Sequence, residues 1–224
     1  MCGRFAVTLP SDAMAQLFEA SPANALPDIP NYNICPTNQI HTVISTNGAR
    51  QLISARWGFL PHWYKAPSDT PLLINARAET IAEKPAFRDA ARHRRCLIPV
   101  TGFYEWTKDE DGHRLPWYFA PTGCDTLAFA GIWQDWTKGE DPIRSCAIVT
   151  TSANAKLQAI HHRMPVILAQ KDWPMWLGEA GHGAATLMRA APEDTLSFYR
   201  VDPEVNSNRA FGSQLIDPIP LSLC

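Results

Sequence analysis

The second residue of the chain, Cys2, has a position that gives it distinctive chemistry. An initiator methionine before a small residue is normally removed, which would leave Cys2 with a free α-amine beside its thiol. Because an α-amine has a pKa of about 7.8 and a lysine amine one of about 10.4, roughly 14% of the former and about 0.04% of the latter is neutral at pH 7. Such an amine forms a Schiff base with an aldehyde, and the thiol then closes a five-membered thiazolidine. The position predicts an aldehyde trap, unless Cys2 is only a small residue that follows the initiator methionine.

Three polar side chains farther along the chain could assist such chemistry. Asn75 follows the apolar run 72–74 and could orient a reactive group, or it is an ordinary polar residue at a strand end. Glu105 lies among aromatic residues, where desolvation would raise the pKa of its carboxyl and suit it to proton transfer, unless strand alternation turns it to solvent. His161 follows a predicted helix whose dipole favours a charged imidazole, which could be a general acid or a simple helix-terminal charge.

A basic segment and three tryptophans could bind a polyanion. Residues 75–95 carry six basic and three acidic side chains, a local charge of +3. Arg88, Arg92 and Arg95 are spaced to form one stripe on a helix that Pro85 opens. Such a stripe could hold phosphates, and it is also typical of a solvated helix face. Aromatic side chains that could stack on unpaired bases, or pack in the core, are Trp57, Trp63 and Trp106.

Composition and charge exclude several classes of protein. The 224 residues include 20 Lys+Arg and 22 Asp+Glu, and the formal net charge of −2 excludes a uniformly basic nucleic-acid binder but not a local patch. Hydrophobic residues make up 46%, which excludes global disorder. Six cysteines without a CxxC pair and seven scattered histidines lead us to expect reduced thiols, no metal and no cofactor. Without a secretory leader or a membrane-length apolar run, we expect a cytoplasmic protein and no membrane partner.

The elements that would position these residues are mostly short strands. The predicted strands are 41–46, 51–58, 96–106, 115–120, 127–133, 144–150 and 164–169. Hairpin signals between them are Asn47-Gly48, Asp111-Gly112 and Thr122-Gly123. Ser11 and Ser152 are predicted to cap helices, the second of which ends near Ile160, Pro85 is predicted to open another, and a short helix is predicted at 172–177. Strands and helices do not alternate, so we expect an α+β fold in a single domain, mostly antiparallel, with a curved or barrel-like sheet and a few short flanking helices.

Seven segments are similar, in type and in order, to motifs of the SRAP (SOS response-associated peptidase) family. They are Met1-Cys2-Gly3-Arg4-Phe5, Tyr32-Asn33-Ile34-Cys35-Pro36, Trp57-Gly58, Ile74-Asn75-Ala76-Arg77-Ala78-Glu79-Thr80, Arg95-Cys96-Leu97-Ile98-Pro99, Gly102-Phe103-Tyr104-Glu105-Trp106 and Ile160-His161-His162-Arg163-Met164-Pro165. The likeness extends from Cys2 to about Asn208. It implies one SRAP-like domain over residues 1–224, with its core at about 2–210.

The resemblance implies a monomeric sensor of abasic sites in single-stranded DNA, acting in the DNA-damage or SOS response and associating with the nucleoid on damage. An abasic deoxyribose opens to an aldehyde, which Cys2 would trap as a thiazolidine after autoproteolytic removal of Met1. The implied activities are thus peptidase and lyase-like. Asn75 would orient the Cys2 groups or the sugar. Glu105 would move protons in Schiff-base formation and reversal, and His161 would open the sugar ring as an acid.

The resemblance also implies a set of residues that contact DNA. Arg4, Arg77 and Arg163 would hold phosphates, and Trp57 and Met164 would pack against splayed bases. The full expected set is Arg4, Asn33, Pro36, Trp57, Arg77, Trp106, Arg163 and Met164.

The chain departs from the family pattern in three places. Cys35 precedes Pro36 where a small apolar residue is usual, so a second thiol either competes for an aldehyde near the site or is buried. His162 adjoins His161, and the spacing His-x-Arg-Met-Pro selects His161. The segment 201–208 keeps only a loose likeness.

Two other functions remain open at this point. Amide hydrolases of the N-terminal-nucleophile class, such as glutamine amidotransferases, also begin Met-Cys-Gly and attack an amide with the cysteine thiol. Glutaminase activity would favour that alternative. A noncovalent single-strand binder would bind intact and abasic strands equally and would be indifferent to Cys2→Ala.

Overall fold

The computed structural model describes residues 2–23 and 25–219. Within these ranges the strands are β1 (Phe5–Val7), β2 (Ala20–Pro22), β3 (Asn31–Ile34), β4 (Gln39–Thr46), β5 (Ala49–Trp57), β6 (Asn75–Arg77), β7 (Arg95–Val100), β8 (Gly102–Lys108), β9 (Arg114–Pro121), β10 (Leu127–Trp136), β11 (Ile143–Ser152), β12 (Arg163–Pro165) and β13 (Leu196–Arg200). The helices are α1 (Ser11–Leu17), α2 (Arg88–His93), α3 (Ala155–Gln158) and α4 (Trp173–Leu177). Short 3₁₀ helices lie at Gln170–Asp172, Ala184–Leu187, Glu193–Thr195, Pro203–Asn206 and Ser213–Ile216. The predicted α+β class is confirmed.

The larger of two sheets curves until it meets itself. Its strands run in the order β12–β11–β10–β7–β4–β5–β2, and β6 pairs with β11. β11 also pairs in parallel with β5, with Cys146 opposite Trp57. Because β10, β7 and β4 already connect these two strands, the extra pairing closes five strands into a ring. The expected curved, mostly antiparallel sheet is confirmed.

The smaller sheet carries the N-terminal strand in its interior. Its order is β13–β9–β8–β1–β3, so β1 lies between β8 and β3. Phe5 of β1 is opposite Phe103 on one side and Ile34 on the other. Gly102 begins β8 beside the ring of Tyr118, and a Cβ at this position would lie 2.2 Å from the Tyr118 hydroxyl. Only glycine fits this approach between strands.

The main apolar core lies between the two sheets. Phe103 of the smaller sheet contacts Phe129 of the larger one, with ring centroids 5.6 Å apart. Side chains alternate along a strand, so Tyr104 faces the opposite side of β8. There it packs in a second cluster with Val205 and Leu215 of the C-terminal segment. The smaller sheet is therefore covered on both faces.

Several predicted element boundaries were wrong. The stretch 96–106 is two strands, β7 and β8, which belong to different sheets. Thr122-Gly123 is not a hairpin, since β9 and β10 also lie in different sheets. Ser11 is the first residue of α1 and Pro10 its N-cap residue, and Asn154 rather than Ser152 caps α3 by accepting from the Leu157 amide. No helix among the described residues is long and apolar enough to span a membrane.

Candidate active site

Cys2 lies three residues before Phe5, the first residue of β1, and is 0% exposed. The Asn75 side-chain amide donates to the Cys2 carbonyl oxygen at 2.9 Å. Asn75 begins β6, which pairs in parallel with β11 of the larger sheet. The Asn75 Oδ1 atom is buried and has no hydrogen-bond partner among the described residues. Asn75 thus contacts Cys2 and holds an acceptor available for an incoming donor.

Glu105 enters the site from the smaller sheet. It lies two residues after Phe103 on β8, so alternation directs its side chain to the same face, between the two sheets. The side chain is 3% exposed, and burial raises the pKa of its carboxyl to about 7. Burial, and secondarily the Glu105 charge, also raises the pKa of the Cys2 thiol. At neutral pH the site therefore holds an uncharged thiol and a carboxyl poised to give or accept a proton.

His161 completes the group from the turn that follows α3. Its Nδ1 lies 4.0 Å from Glu105 Oε1. The Arg163 amide lies 3.0 Å from Nδ1 and the Arg163 carbonyl oxygen 3.1 Å from it, so Nδ1 accepts from the amide in one neutral tautomer and donates to the carbonyl in the other. Burial lowers the pKa of His161, so the expectation that the helix end keeps this ring charged is wrong. The helix has only four residues, and desolvation favours the neutral ring.

The neighbouring histidine has a different environment. His162 is exposed and stacks on His161, with ring centroids 4.5 Å apart. The structure brings together Cys2, Asn75, Glu105 and His161, the four residues for which we predicted chemistry. Two contacts, Asn75 to Cys2 and His161 to Glu105, each connect the larger sheet with the smaller one. The candidate site is therefore formed where the sheets meet.

Arg4 and Asn33, both expected to bind DNA, are engaged within the protein. The Arg4 side chain is buried and donates to Asn33 Oδ1 at 2.6 Å, to the Val205 carbonyl at 2.9 Å and to Asn208 Oδ1 at 2.8 Å. The Asn33 amide donates to the carbonyl of Ala210 at 2.7 Å. These side chains fasten the C-terminal segment to β1 and β3, and their direct contacts with DNA stay predictions.

Trp57 and Met164 have no exposed surface in this structure on which a base could stack. Trp57 packs against Phe5, with ring centroids 4.9 Å apart, and donates to the carbonyl of Ile74 at 3.0 Å. It therefore supports the backbone immediately before Asn75. Pro36 is half-buried in the turn after β3. Base contacts by these residues stay predictions.

The two remaining expected arginines differ in their surroundings. Arg77 is exposed at the end of β6. Arg163 is buried and forms a two-pronged ion pair with Glu79, at 2.7 and 2.9 Å, and also donates to the Thr150 carbonyl at 2.7 Å. Arg77 is free to meet a phosphate in the geometry shown, whereas Arg163 joins the loop after β6 to β11. The phosphate roles of both stay predictions.

Trp106 lies on the outer face of β8 and is half-buried. Its indole N–H donates to Asn206 Oδ1 at 2.6 Å. The Arg114 guanidinium lies over its ring at 4.5 Å and the Arg4 guanidinium at 5.8 Å. Trp106 thus has two guanidinium groups near its ring, and its contact with DNA stays a prediction.

The predicted basic stripe does not form. The helix α2 ends at His93, and Arg95 already belongs to β7. The Arg95 guanidinium donates to the carbonyls of Ala91 and Trp176 instead of facing solvent beside Arg88. A strand start thus replaces the helical turn that the spacing required. Near the site, Cys35 is half-buried with its thiol donating to the Asn33 carbonyl, and burial raises the pKa of that thiol.

Sequence reasoning gave no role to four residues that hold the site together. Glu79 and Thr150 bind Arg163, while Val205 and Asn208 bind Arg4. Each is distant in sequence from its partner, and a backbone carbonyl carries no side-chain signal. Glu79 lies in the motif that contains Asn75, and Val205 and Asn208 lie in the loosely similar segment 201–208, but neither pattern indicates which residues they bind.

A family model described as SOS response associated peptidase (SRAP) matches residues 1–208. The chain belongs to the SRAP family. The relatives include the abasic site processing protein YoqW of Bacillus subtilis (strain 168), 34% identical over 97% of this chain and 99% of its own length. The abasic site processing protein YedK of Escherichia coli (strain K12) is 27% identical over 98% and 100%. The abasic site processing protein HMCES of Rattus norvegicus is 28% identical over 99% and 77%.

Solved structures share the fold of this SRAP-family chain. A protein from Bacteroides thetaiotaomicron superposes with a TM-score of 0.85 at 23% identity, covering 98% of this chain and all of its own. A phage-related protein from Bordetella bronchiseptica superposes with a TM-score of 0.70 at 28% identity, covering 89% and 94%. The two-sheet arrangement therefore also occurs in chains of low sequence identity.

Proposed function

We propose that this protein processes abasic sites in single-stranded DNA by trapping the sugar aldehyde on Cys2. The observation that carries the proposal is the meeting of Cys2, Asn75, Glu105 and His161 where the two sheets join. An aldehyde trap at an N-terminal cysteine needs an oriented amine and proton donors and acceptors beside it, and these residue types supply them. The names of the relatives support the choice of an abasic sugar as the aldehyde.

The first step is loss of Met1. Hydrolysis of the bond between Met1 and Cys2 consumes one water and frees the Cys2 α-amine. We propose that the site itself performs this cleavage, with Glu105 moving the proton. Asn75 then holds the new N-terminal residue through its carbonyl, and the buried Oδ1 of Asn75 accepts a hydrogen bond from the free amine.

The second step exposes the aldehyde. A lowered pKa makes the His161 imidazolium a stronger acid, so once protonated it passes its proton readily to the sugar ring oxygen. Glu105 accepts the proton from the sugar hydroxyl as the ring opens. A carboxyl with a pKa of about 7 is suited to both directions of transfer at neutral pH.

The third step forms the cross-link without a redox change. The amine adds to the aldehyde carbon and one water leaves, which gives the Schiff base. The thiol then adds across the carbon–nitrogen double bond, so a carbon–sulfur bond forms and the thiol proton ends on nitrogen. Because burial keeps the thiol uncharged, the amine is the nucleophile that attacks first. An amide hydrolase needs a thiolate attack as its first step, which this environment opposes.

Intact-mass measurement with an abasic single strand tests the proposal. We expect the purified protein to lack Met1 and to gain the mass of the strand in a form that survives denaturation. Cys2→Ala should abolish the adduct. Cys35→Ala is the matched control, because it removes the half-buried thiol near the site and should leave the adduct intact.

Two results would contradict the covalent mechanism. One is retention of Met1 in protein that still forms the adduct, and the other is an adduct that persists in Cys2→Ala. Glutamine hydrolysis without an adduct would instead support the amide-hydrolase alternative.

A further inference from the structure

The segment 203–211 is fastened beside the candidate site by side chains that were expected to contact DNA. Arg4 binds the Val205 carbonyl and Asn208, and Asn33 binds the Ala210 carbonyl. Trp106, which adjoins Glu105, donates to Asn206. The segment thus covers the outer face of the smaller sheet at the end where Cys2 and Glu105 lie. At that end of the sheet the solvent-facing surface is formed by the segment 203–211 and not by the side chains of the strands beneath it.

Phe211 stands out on this surface. It is 83% exposed and is the most exposed large apolar side chain among residues 2–23 and 25–219. A single exposed apolar residue is common and by itself signals nothing. Here, however, exposed Arg209 lies two residues before it, so an aromatic ring and a guanidinium share one short segment.

The backbone that carries Phe211 is held on both sides. Asn33 donates to the carbonyl of Ala210, and Gln214 Nε2 donates to the carbonyl of Phe211 at 2.9 Å. Gly212 follows with φ +107°, a backbone conformation that residues with a side chain rarely adopt. Only glycine accommodates this turn. The ring is therefore presented to solvent from a fixed backbone, which reduces the entropy lost when it binds a flat partner.

We propose that Phe211 stacks on an unpaired base of the strand that carries the abasic site, while Arg209 contacts an adjacent phosphate. Base stacking on an aromatic ring combined with a cationic side chain is the usual chemistry of single-strand binding. The inference rests on the proposed function for the identity of the strand. Phe211 lies outside the residues 1–208 that the family model matches.

Binding of a strand with a central tetrahydrofuran residue tests the stacking contact. Tetrahydrofuran lacks the aldehyde, so fluorescence anisotropy reports noncovalent affinity alone. We expect Phe211→Ala to weaken binding between about fivefold and a hundredfold, as for loss of one stacked base. Phe211→Trp should restore affinity to within about twofold, because indole also stacks. Leu17→Ala is the matched control, since Leu17 is an exposed apolar residue on α1, and it should bind as the unmodified protein does.

A second series separates stacking from a merely structural effect. Each nucleotide that flanks the central residue is replaced in turn by a further tetrahydrofuran, which removes one base at a time. We expect the penalty of Phe211→Ala to disappear on the strand that lacks the stacked base and to persist on the others. An equal penalty on every strand, or no penalty on any, would overturn the inference.

The intact-mass experiment on unmodified protein distinguishes failure of the stacking inference from failure of the proposed function. If the unmodified protein forms the adduct and Phe211→Ala binds equally well, the stacking inference alone is wrong. If the unmodified protein neither binds the strand nor forms the adduct, the proposed function fails and the inference falls with it.

Discussion

Burial between the two sheets removes water from around Glu105, His161 and the Cys2 thiol. This desolvation favours the neutral form of each group. Burial raises the pKa of the carboxyl and of the thiol and lowers that of the imidazole. The pKa of the Glu105 carboxyl is about 7, and the pKa of the His161 imidazole lies below its usual value. A proton can therefore pass between these groups and a substrate near neutral pH with little free-energy difference.

The raised pKa of Glu105 predicts a pH-dependent stability. Because the folded-state pKa of about 7 exceeds the unfolded one, protonation favours folding, and this contribution is lost as the pH rises from about 4.5 through 7. The loss is roughly 3 kcal/mol over that window. Denaturant unfolding of Glu105→Gln should show a flatter pH profile and greater stability at pH 8. Glu110→Gln, on an exposed turn, should keep the profile of the unmodified protein, and a steep profile in Glu105→Gln would refute the assignment.

The two adjacent histidines offer a paired test of the acid. His161→Ala should slow cross-linking by about a hundredfold, the lower end of the usual contribution of a general acid. His162→Ala should have less than about a twofold effect, since that ring is exposed. The measurement is the single-turnover rate of adduct formation, with anisotropy to show that both variants still bind the strand. Equal rates in the two variants would contradict the role given to His161.

At the scale of elements, the site depends on short pieces of strand that are ordered by their neighbours. β6 has three residues and pairs with β11, and β12 has three residues and pairs farther along the same strand. β11 thus positions both Asn75 and the turn with His161. The Glu79–Arg163 ion pair joins the loop after β6 to β12, so it holds these two pieces in register.

Because Arg163 is buried, we expect loss of its ion-pair partner Glu79 to lower the free energy of unfolding. The Arg163 side chain is 9% exposed, so Glu79→Gln leaves a buried cation with weaker compensation and should lower the free energy of unfolding by about 1–2 kcal/mol. Asp89→Asn, which removes the partner of Arg94 on an exposed helix, should cost less than about 0.5 kcal/mol. Denaturant unfolding measures both. If the two variants lose similar amounts of unfolding free energy, the Glu79 contact contributes no more to stability than an exposed ion pair.

How far the elements could be predicted depended on their length. The strands of six or more residues have enough alternation to be seen in sequence, and each overlaps a predicted stretch. β1, β2, β3 and β6 have three or four residues, and pairing with distant strands is what orders them. The boundary between β7 and β8 was missed because one continuous apolar stretch passes from one sheet to the other.

At the scale of the whole molecule, the formal net charge of −2 gives no overall attraction to a nucleic-acid strand. The proposed binding of a strand would therefore depend on a few local contacts. Arg4, Arg95 and Arg163 are engaged by protein acceptors, which removes them from any simple count of exposed cations. The proposed covalent bond at the lesion would let the protein hold its target without many phosphate contacts. Arg77 is exposed at the end of β6, two residues after Asn75.

The salt dependence of strand binding should report Arg77. We expect Arg77→Ala to reduce the slope of log affinity against log salt by about 0.7, the value for one phosphate contact on a single strand. Lys138→Ala, in the exposed loop between β10 and β11, should leave the slope unchanged. Anisotropy titrations with intact strands at several salt concentrations provide the slopes. An unchanged slope in Arg77→Ala would remove it from the phosphate contacts.

The sequence by itself indicated the candidate chemistry and the fold class. The position of Cys2 next to the initiator methionine, and the residue types at Asn75, Glu105 and His161, are properties of the linear chain. Ordered motifs then identified the family, and strand-like patterning indicated an α+β fold. These features need no knowledge of what lies beside them in space.

Only the tertiary structure decided how those groups behave. Desolvation between two sheets raises the pKa of Glu105 and lowers that of His161, and burial depends on strands that are far apart in sequence. Packing likewise turned Arg4 and Trp57 inward and left Phe211 exposed. The physical reason is that charge state and exposure are set by neighbours in space, and long-range strand pairing chooses those neighbours.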